Sequence, residues 1–505
     1  MFTLRAQHSE YMSLSHPTLQ TSDFADLELD WSAGVDDWMR ALASQYYRAR
    51  RNHPNDRLIA VFDIDGTILD MRQMVRWVLL SYDRVHETEH FRGLQPETIT
   101  VHENHIDRFL RDWPLPPGQR ERVLDYYAEH AWSDDAIMAS HQPYRGVLDV
   151  IRWFQIQPET YVGLNTGRPE SFRDVTLNSL NILGAEYRVQ FSSELLVMCQ
   201  KTGMQHVPLA KADGLQHFRE AGYRVFAVID NEPENIESMV QSDPEGEILF
   251  LHADTIFESK RSKTPRTVRG RFYDITNLVS EEGLPQRVEF VWHGIGSRAD
   301  MRKFLASGVR WGEVHVRRDP LHRLVVRRLS FEDAPWMKSE SHLLLEDCLR
   351  EVHRQDRALK LDLKEGGELV DQVETLLSQI GLTDNRLWFN GGVEVLGMKG
   401  IQSLRERHPG AVIQCPVDCL SPLIHCMTEK AREILEEFAG WGVNRFSVSW
   451  KSQDVRRTIE LLESWGFDVN IYDVPSLEAF LQAALLLPRS LTSDFNFPKW
   501  SRFGG

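Results

Sequence analysis

"RLIAVFDIDGTILD", residues 57–70, decides how the first half of the chain folds. Leu58 to Phe62 form an unbroken apolar run, as in a strand buried on both faces. Asp63 and Asp65 follow at its carboxyl end, where ligands bind in open parallel sheets. Residues i and i+2 share one face of a strand. A turn after Asp63 would let the two carboxylates do different jobs. One can attack phosphorus; the other can protonate a leaving oxygen. Together they repel, unless a divalent cation neutralises the pair. Gly66 permits a tight turn, and Thr67 supplies a hydroxyl near a helix start.

Strand and helix signals alternate beyond this stretch. "TYVGLNTG", "YRVQFSS", "RVFAVIDN" and "EILFLHA" read as strands, and "GVLDVIRWFQ", "SFRDVTLNSLNILG" and "LAKADGLQHFREAG" as helices. Such alternation predicts a parallel sheet with crossover helices. Between Met71 and about Gln142 the period is helical throughout, broken by Pro114, Pro116 and Pro117. Upstream, "VDDWMRALASQYYRAR" (35–50) has helical spacing after a polar arm. "ESKRSKTPRTVRGRF" (258–272) reads as a linker or surface loop.

A second alternating series begins near Val288. Its expected strands are "VEFVWHG", "WGEVHVRR", "RLVVRRL", "ALKLDLK", "RLWFNGG", "AVIQCPV", "RFSVSW" and "DVNIYDV". Eight strands separated mostly by helices suggest a closed (β/α)8 barrel. Three segments follow: an arm and helix over 1–56, an α/β domain over 57–275 with a helical insertion at about 71–142, and a barrel over 287–500.

The chain has 505 residues and a net charge of −16, which argues against a general nucleic-acid backbone binder. It contains no apolar run of membrane-spanning length. The start lacks the apolar core of a secretion signal, and five cysteines make no disulfide framework, so a reducing cytoplasm is expected.

At "DIDGT" the sequence resembles the haloacid dehalogenase superfamily, most of whose members are phosphatases. Three further motifs extend the resemblance in order: Thr166 in "VGLNTGRPE", Lys211 in "PLAKADGLQHF" and Asp230 in "FAVIDNEPENI". The resemblance implies a Rossmann-like core with a helical type 1 cap over about 71–142. It implies Asp63 as nucleophile, forming an aspartyl-phosphate, and Asp65 as general acid and then base. Asp63, the Asp65 carbonyl and Asp230 would hold Mg²⁺. Thr166 and Lys211 would bind the phosphoryl oxygens, with Gly167 and Arg168 beside them. Arg168 stands open between substrate contact and surface ion pair. Glu234 is the candidate for a further acidic group near the metal. Trp77, Tyr82, His86, His102, His105 and Trp113 of the cap are candidates either for packing or for substrate contact.

The second half resembles the glycerophosphodiester phosphodiesterase superfamily, and within it the menorin-like family. "WHGIGSRADMRKFL", "KLDLK", "LWFNGG", "HPGAVIQCP" and "LTSDFNFP" carry the likeness. His293 ends the first barrel strand, a catalytic position in such barrels. Glu313, His315 and Asp362 are candidate ligands for a second divalent metal. The general family pattern has Glu-x-Asp where this chain has Glu313-Val-His315. Where it expects a second histidine, "LVVRRLSF" offers Arg327 or Arg328, which cannot shuttle protons but can bind phosphate. Cys415, Cys419, Cys426 and His425 lack the paired short loops of common zinc sites, so they read as ordinary barrel residues. Trp388, Trp450 and Trp465 read as core or barrel rim.

The expected activity is an Mg²⁺-dependent phosphomonoester hydrolase acting on a small phosphorylated substrate. Two alternatives stand beside it: a bifunctional enzyme whose barrel opens a phosphodiester, and a barrel that only binds a ligand or partner.

Overall fold

The computed structural model describes residues 38–200, 206–255, 264, 266–280, 283–337 and 341–493. The polar arm expected before residue 38 lies outside the described residues. They divide into two compact units. The first comprises residues up to Tyr144 with Pro158–Thr176 and Ser192–Phe272; the second comprises Arg145–Gln157, Leu177–Phe191 and the chain from Tyr273 on.

The first unit is built on a six-stranded parallel sheet. Its strands are β1 (Arg57–Phe62), β2 (Thr160–Pro169), β3 (Leu196–Cys199), β4 (Tyr223–Asp230), β5 (Leu249–Ala253) and β6 (Thr267–Gly270), in the order β3-β2-β1-β4-β5-β6. The strand order reverses at β1, which pairs with β2 on one side and β4 on the other. That reversal opens a crevice at the carboxyl ends of three adjacent strands. Ile59 and Val61 of β1 join Val225 and Val228 of β4, Leu215, Phe218 and Ile236 in one buried core.

The helix Trp38–Asn52 buries Trp38, Leu42 and Tyr46, the face that its spacing predicts. Its Trp38 lies so close to Gly270 that a side chain there would collide with the indole, and Trp38 Nε1 donates to Phe272 O at 2.8 Å. The basic segment 258–272 is therefore more than a linker, since part of it forms β6 and pairs with β5. Residues 71–142 are helical without a strand, with helices at Met71–His86, Ile106–Asp112, Gln119–His130 and Asp134–Ser140.

One expected strand is displaced. "YRVQFSS" is irregular, and β3 begins only at Leu196. Asn181 takes both backbone groups of Phe191, accepting from its N–H at 2.7 Å and donating to its carbonyl at 3.1 Å. A side-chain amide thus satisfies the groups that a strand ladder would otherwise use.

The second unit contains a closed parallel barrel of eight strands. They are β7 (Glu289–Trp292), β8 (Trp311–Arg318), β11 (Ala358–Leu363), β12 (Leu387–Asn390), β13 (Val412–Pro416), β14 (Arg445–Ser449), β15 (Val469–Val474) and β16 (Ser490–Ser493). Pairings of β16 with β7 and of β7 with β8 close it. "RLVVRRL" is not one of the eight. It forms β9 (Leu324–Val326), antiparallel to β8 and to β10 (Leu343–Leu344). The eighth barrel strand is instead the short, mostly polar "SLTS" of β16, where alternation of apolar residues is too brief to read. Among the described residues no helix is long and apolar enough to cross a membrane.

Candidate functional site

The first candidate site lies at the β2-β1-β4 strand ends. Asp63 directly follows β1, its N–H bonded to Ile229 O of β4 at 2.8 Å, and Asp230 ends β4. Lys211 sits in the first turns of the helix Val207–Glu220 and is 2% exposed. Its Nζ donates to Asp63 Oδ1 at 2.6 Å, to Asp230 Oδ2 at 2.8 Å and to Asn165 O at 2.6 Å. Three acceptors satisfy all three ammonium protons. Residues 148 and 19 positions away from Lys211 thus meet on one nitrogen.

The electrostatics follow from burial. Desolvation would lower the Lys211 pKa, but Asp230 and Asp63 outweigh it and hold it raised, so Lys211 stays cationic. Asp63 is pushed well above the usual carboxylate range, first by burial and then by the Asp230 and Asp65 charges, against the pull of Lys211. One ammonium therefore serves two buried carboxylates, and negative charge is left under-compensated.

Gly66 has φ +77°, and a Cβ there would meet Asn231 Nδ2 at 2.3 Å. The turn after Asp65 accordingly needs glycine on both conformational and steric grounds. Asp65 points at Arg168, which clamps it with two bonds, Nε to Oδ2 at 2.8 Å and Nη2 to Oδ1 at 2.6 Å. Arg168 is 3% exposed; it also donates to Thr176 Oγ1 at 2.9 Å, lies 3.1 Å from His141 Nε2 and stands over the Trp132 ring at 5.3 Å. Arg168 is thus in a buried ion pair with Asp65, not a surface one. Burial would raise the Asp65 pKa, but the Arg168 charge and hydrogen bonds hold it below the usual range. His141 is driven down to about 3, by burial and by Arg168.

Thr166 is buried and its Oγ1 accepts from Arg168 N at 3.2 Å; Gly167 leaves room for Val207, whose Cγ1 would lie 3.0 Å from a Cβ. Glu234 does not support Asp230. It is exposed, and Asp230 Oδ1 instead accepts from Glu232 N at 2.8 Å and Asn235 Nδ2 at 3.3 Å. The helix beginning at Pro233 turns Asn235, not Glu234, toward the strand end.

Of the candidates in the helical insertion, His102 comes near this acidic neighbourhood, 3.3 Å from Glu103 Oε2 and 3.5 Å from Glu232 Oε1. Tyr82 packs edge-on to Phe91 and Tyr126, and Trp113 stacks on Phe91 and Phe109. Glu103, His141, Asn165 and Asn235 escaped sequence reasoning. Asn165 alone had a signal, as the polar residue before Thr166 in a buried strand. Glu103 is buried and raised to about 8, by desolvation and then by the Asp65 charge.

The second candidate site lies at the carboxyl ends of β7, β8 and β11. Glu313 and Lys360 are register partners, as are His315 and Asp362. Lys360 Nζ lies 3.1 Å from Glu313 Oε1 and 3.1 Å from Thr492 Oγ1. Asp362 Oδ2 meets His315 Nδ1 at 2.6 Å and Lys364 Nζ at 2.5 Å, while its Oδ1 accepts from Asn390 Nδ2 at 2.8 Å. Burial would raise the Asp362 pKa, but His315 and Lys364 hold it far below the usual range. His293 Nε2 is 3.8 Å from Glu313 Oε2, and the His293 and His315 ring centres are 5.5 Å apart. The four predicted residues His293, Glu313, His315 and Asp362 are therefore brought together.

Arg327 points elsewhere. Its guanidinium donates to Ser330 O and Ala334 O and lies over Phe331, and Arg328 is exposed. Cys415 is buried, Cys419 and Cys426 are exposed, and His425 bonds Thr458 Oγ1 at 2.9 Å, consistent with ordinary barrel residues. Trp388 is core, edge-on to Trp311 and beneath Arg445. Among the described residues, no group of three or more His, Cys, Asp or Glu side chains is arranged to hold a metal ion.

No protein-family model matches the chain, and no curated protein matches its sequence. Solved structures do. A glycerophosphodiester phosphodiesterase from Parabacteroides distasonis is 13% identical over 43% of this chain and 95% of that one, with a TM-score of 0.32. A phosphodiesterase from Oleispira antarctica, in complex with the product sn-glycerol-3-phosphate, is 15% identical over 43% and 95%, with a TM-score of 0.33. A protein from Clostridium difficile, provisionally described as a phosphatase, is 14% identical over 45% and 100%, with a TM-score of 0.30. These likenesses are remote.

Proposed function

We propose that the chain is a phosphoester hydrolase, and that its first unit is a phosphomonoesterase of the haloacid dehalogenase type. The observation that carries this is Lys211 Nζ bridging Asp63 and Asp230 at the ends of adjacent strands. In this reading an Asp63 carboxylate oxygen bonds to phosphorus as the ester P–O bond breaks. Asp65 gives its proton to the leaving oxygen, then takes one from the water that hydrolyses the aspartyl-phosphate. Thr166 and Lys211 hold the phosphoryl oxygens, Lys211 exchanging one of its three present acceptors for the substrate, and phosphoryl transfer needs little beyond such positioning and charge stabilisation. The Arg168 clamp keeps Asp65 ionised, so proton delivery requires Asp65 to leave the guanidinium and first take up a proton from solvent.

The all-oxygen donor set, two buried carboxylates sharing one ammonium, fits a hard cation such as Mg²⁺. Asp63, the Asp65 carbonyl and Asp230 would hold it. When bound it would neutralise charge and keep Asp63 ionised. The test is hydrolysis of p-nitrophenyl phosphate with Mg²⁺, which Asp63→Asn should abolish. An active Asp63→Asn chain would sink this reading.

A second reading is favoured by the meeting of His293, Glu313, His315 and Asp362 at the barrel mouth. There the barrel opens a phosphodiester, and the first site removes the phosphate that remains. Hydrolysis of bis(p-nitrophenyl) phosphate that survives Asp63→Asn but not His293→Ala would support it; loss with Asp63→Asn would count against it.

A further inference from the structure

The barrel mouth holds two buried carboxylates, and each is already paired from within. Glu313 has Lys360 across the β8–β11 register, with Nζ to Oε1 at 3.1 Å. Asp362 has Lys364 at 2.5 Å, His315 Nδ1 at 2.6 Å and Asn390 Nδ2 at 2.8 Å. A divalent cation needs several carboxylate oxygens turned toward one point, and two ammonium groups at those oxygens repel it. The residues present therefore do not fit the second metal that the barrel family implies.

His315 adds an independent observation. It is 8% exposed, and its Nε2 is buried with no hydrogen-bond partner among the described residues. A carboxylate only accepts, so the 2.6 Å contact puts the imidazole N–H on Nδ1. In the neutral ring Nε2 then carries a lone pair. A buried acceptor left unmatched by the protein calls for a ligand donor. The His293 ring, 5.5 Å away by ring centres, provides a second proton-transfer group.

We propose that the barrel mouth is a metal-independent proton-transfer site for phosphodiesters, in which Asp362 holds His315 and Lys360 and Lys364 supply the fixed positive charge. The proposal rests on the phosphodiester reading of the barrel. A water O–H gives its proton to His315 Nε2 while its oxygen bonds to phosphorus. One ester P–O bond breaks, and the leaving alkoxide takes a proton from His293. The products are an alcohol and a phosphomonoester; His315 returns its proton to solvent and His293 regains one.

The experiment uses the full chain carrying Asp63→Asn, with bis(p-nitrophenyl) phosphate in EDTA. Turnover should persist in EDTA. His315→Gln should lower kcat about 100-fold or more, and the isosteric Asp362→Asn about 10- to 100-fold with KM little changed. Calorimetric titration of the Asp63→Asn, Asp230→Asn chain with Mn²⁺ should show no binding. Three results overturn the proposal: turnover lost in EDTA and restored by Mn²⁺, Mn²⁺ binding that disappears with Glu313→Gln, or no diester turnover at all. Failure of the first site is read separately, as inert p-nitrophenyl phosphate with the unmodified chain.

Discussion

The two strand-end clusters use the same parts in opposite proportions. At β1 and β4 a single lysine, Lys211, bridges two buried carboxylates. At β8 and β11 each carboxylate has its own lysine, and Asp362 has a histidine as well. The first arrangement sets two buried carboxylates on one ammonium, which disfavours ionising both. The second is balanced by the chain itself. In the reading proposed for the first site, its fit to a metal rests on the local ratio of carboxylates to ammonium groups, not on the number of acidic residues alone.

The largest effect should fall on Asp63. Asp63→Asn is expected to lower phosphomonoester turnover roughly 10⁴-fold or more, as removal of a nucleophile does, measured by steady-state kinetics with p-nitrophenyl phosphate. Loss of a bridging lysine comes next. Lys211→Met leaves Asp63 and Asp230 without their shared partner and should cost about 3–5 kcal/mol of stability in denaturant titration. Lys360→Met strands only Glu313 and should cost less. Equal losses would break the distinction drawn between the sites.

Added Mg²⁺ sharpens the comparison further. At about 100 times its Kd it should stabilise the unmodified chain by about 2.7 kcal/mol, seen as a raised Tm. Asp230→Asn should abolish that shift and Glu313→Gln should leave it intact.

A further effect is expected in the pH dependence. Glu103, with its pKa raised to about 8, binds its proton more tightly in the folded chain than in the unfolded one. Its contribution to stability is full below the unfolded value near 4.5 and is lost as pH rises through about 8. Thermal melts from pH 5 to 9 should therefore fall less for Glu103→Gln than for the unmodified chain. Asp65 works in the opposite sense. Its Arg168-lowered pKa contributes stability above the ordinary carboxylate range that is lost in acid.

Much of both clusters was readable from local pattern. A strand buried on both faces announces itself as an apolar run, so Asp63 and Asp230 could be placed at strand ends. The period of two places Glu313 with His315, and Asp362 with Lys364, on common faces. Readings failed where a segment's backbone was satisfied by something other than its own period. Asn181 held Phe191 out of a strand, and polar "SLTS" completed the barrel in place of "RLVVRRL".

The sequence by itself determined which carboxylates lie at the ends of which strands, because side-chain alternation and apolar runs are properties of consecutive residues. Only the tertiary structure decided what each carboxylate faces. Arg168 reaches Asp65 across 103 positions and Lys211 reaches Asp63 across 148, contacts that no local period encodes. Packing brings those charges together out of water, and that desolvation, together with the number of cations beside each carboxylate, governs its charge.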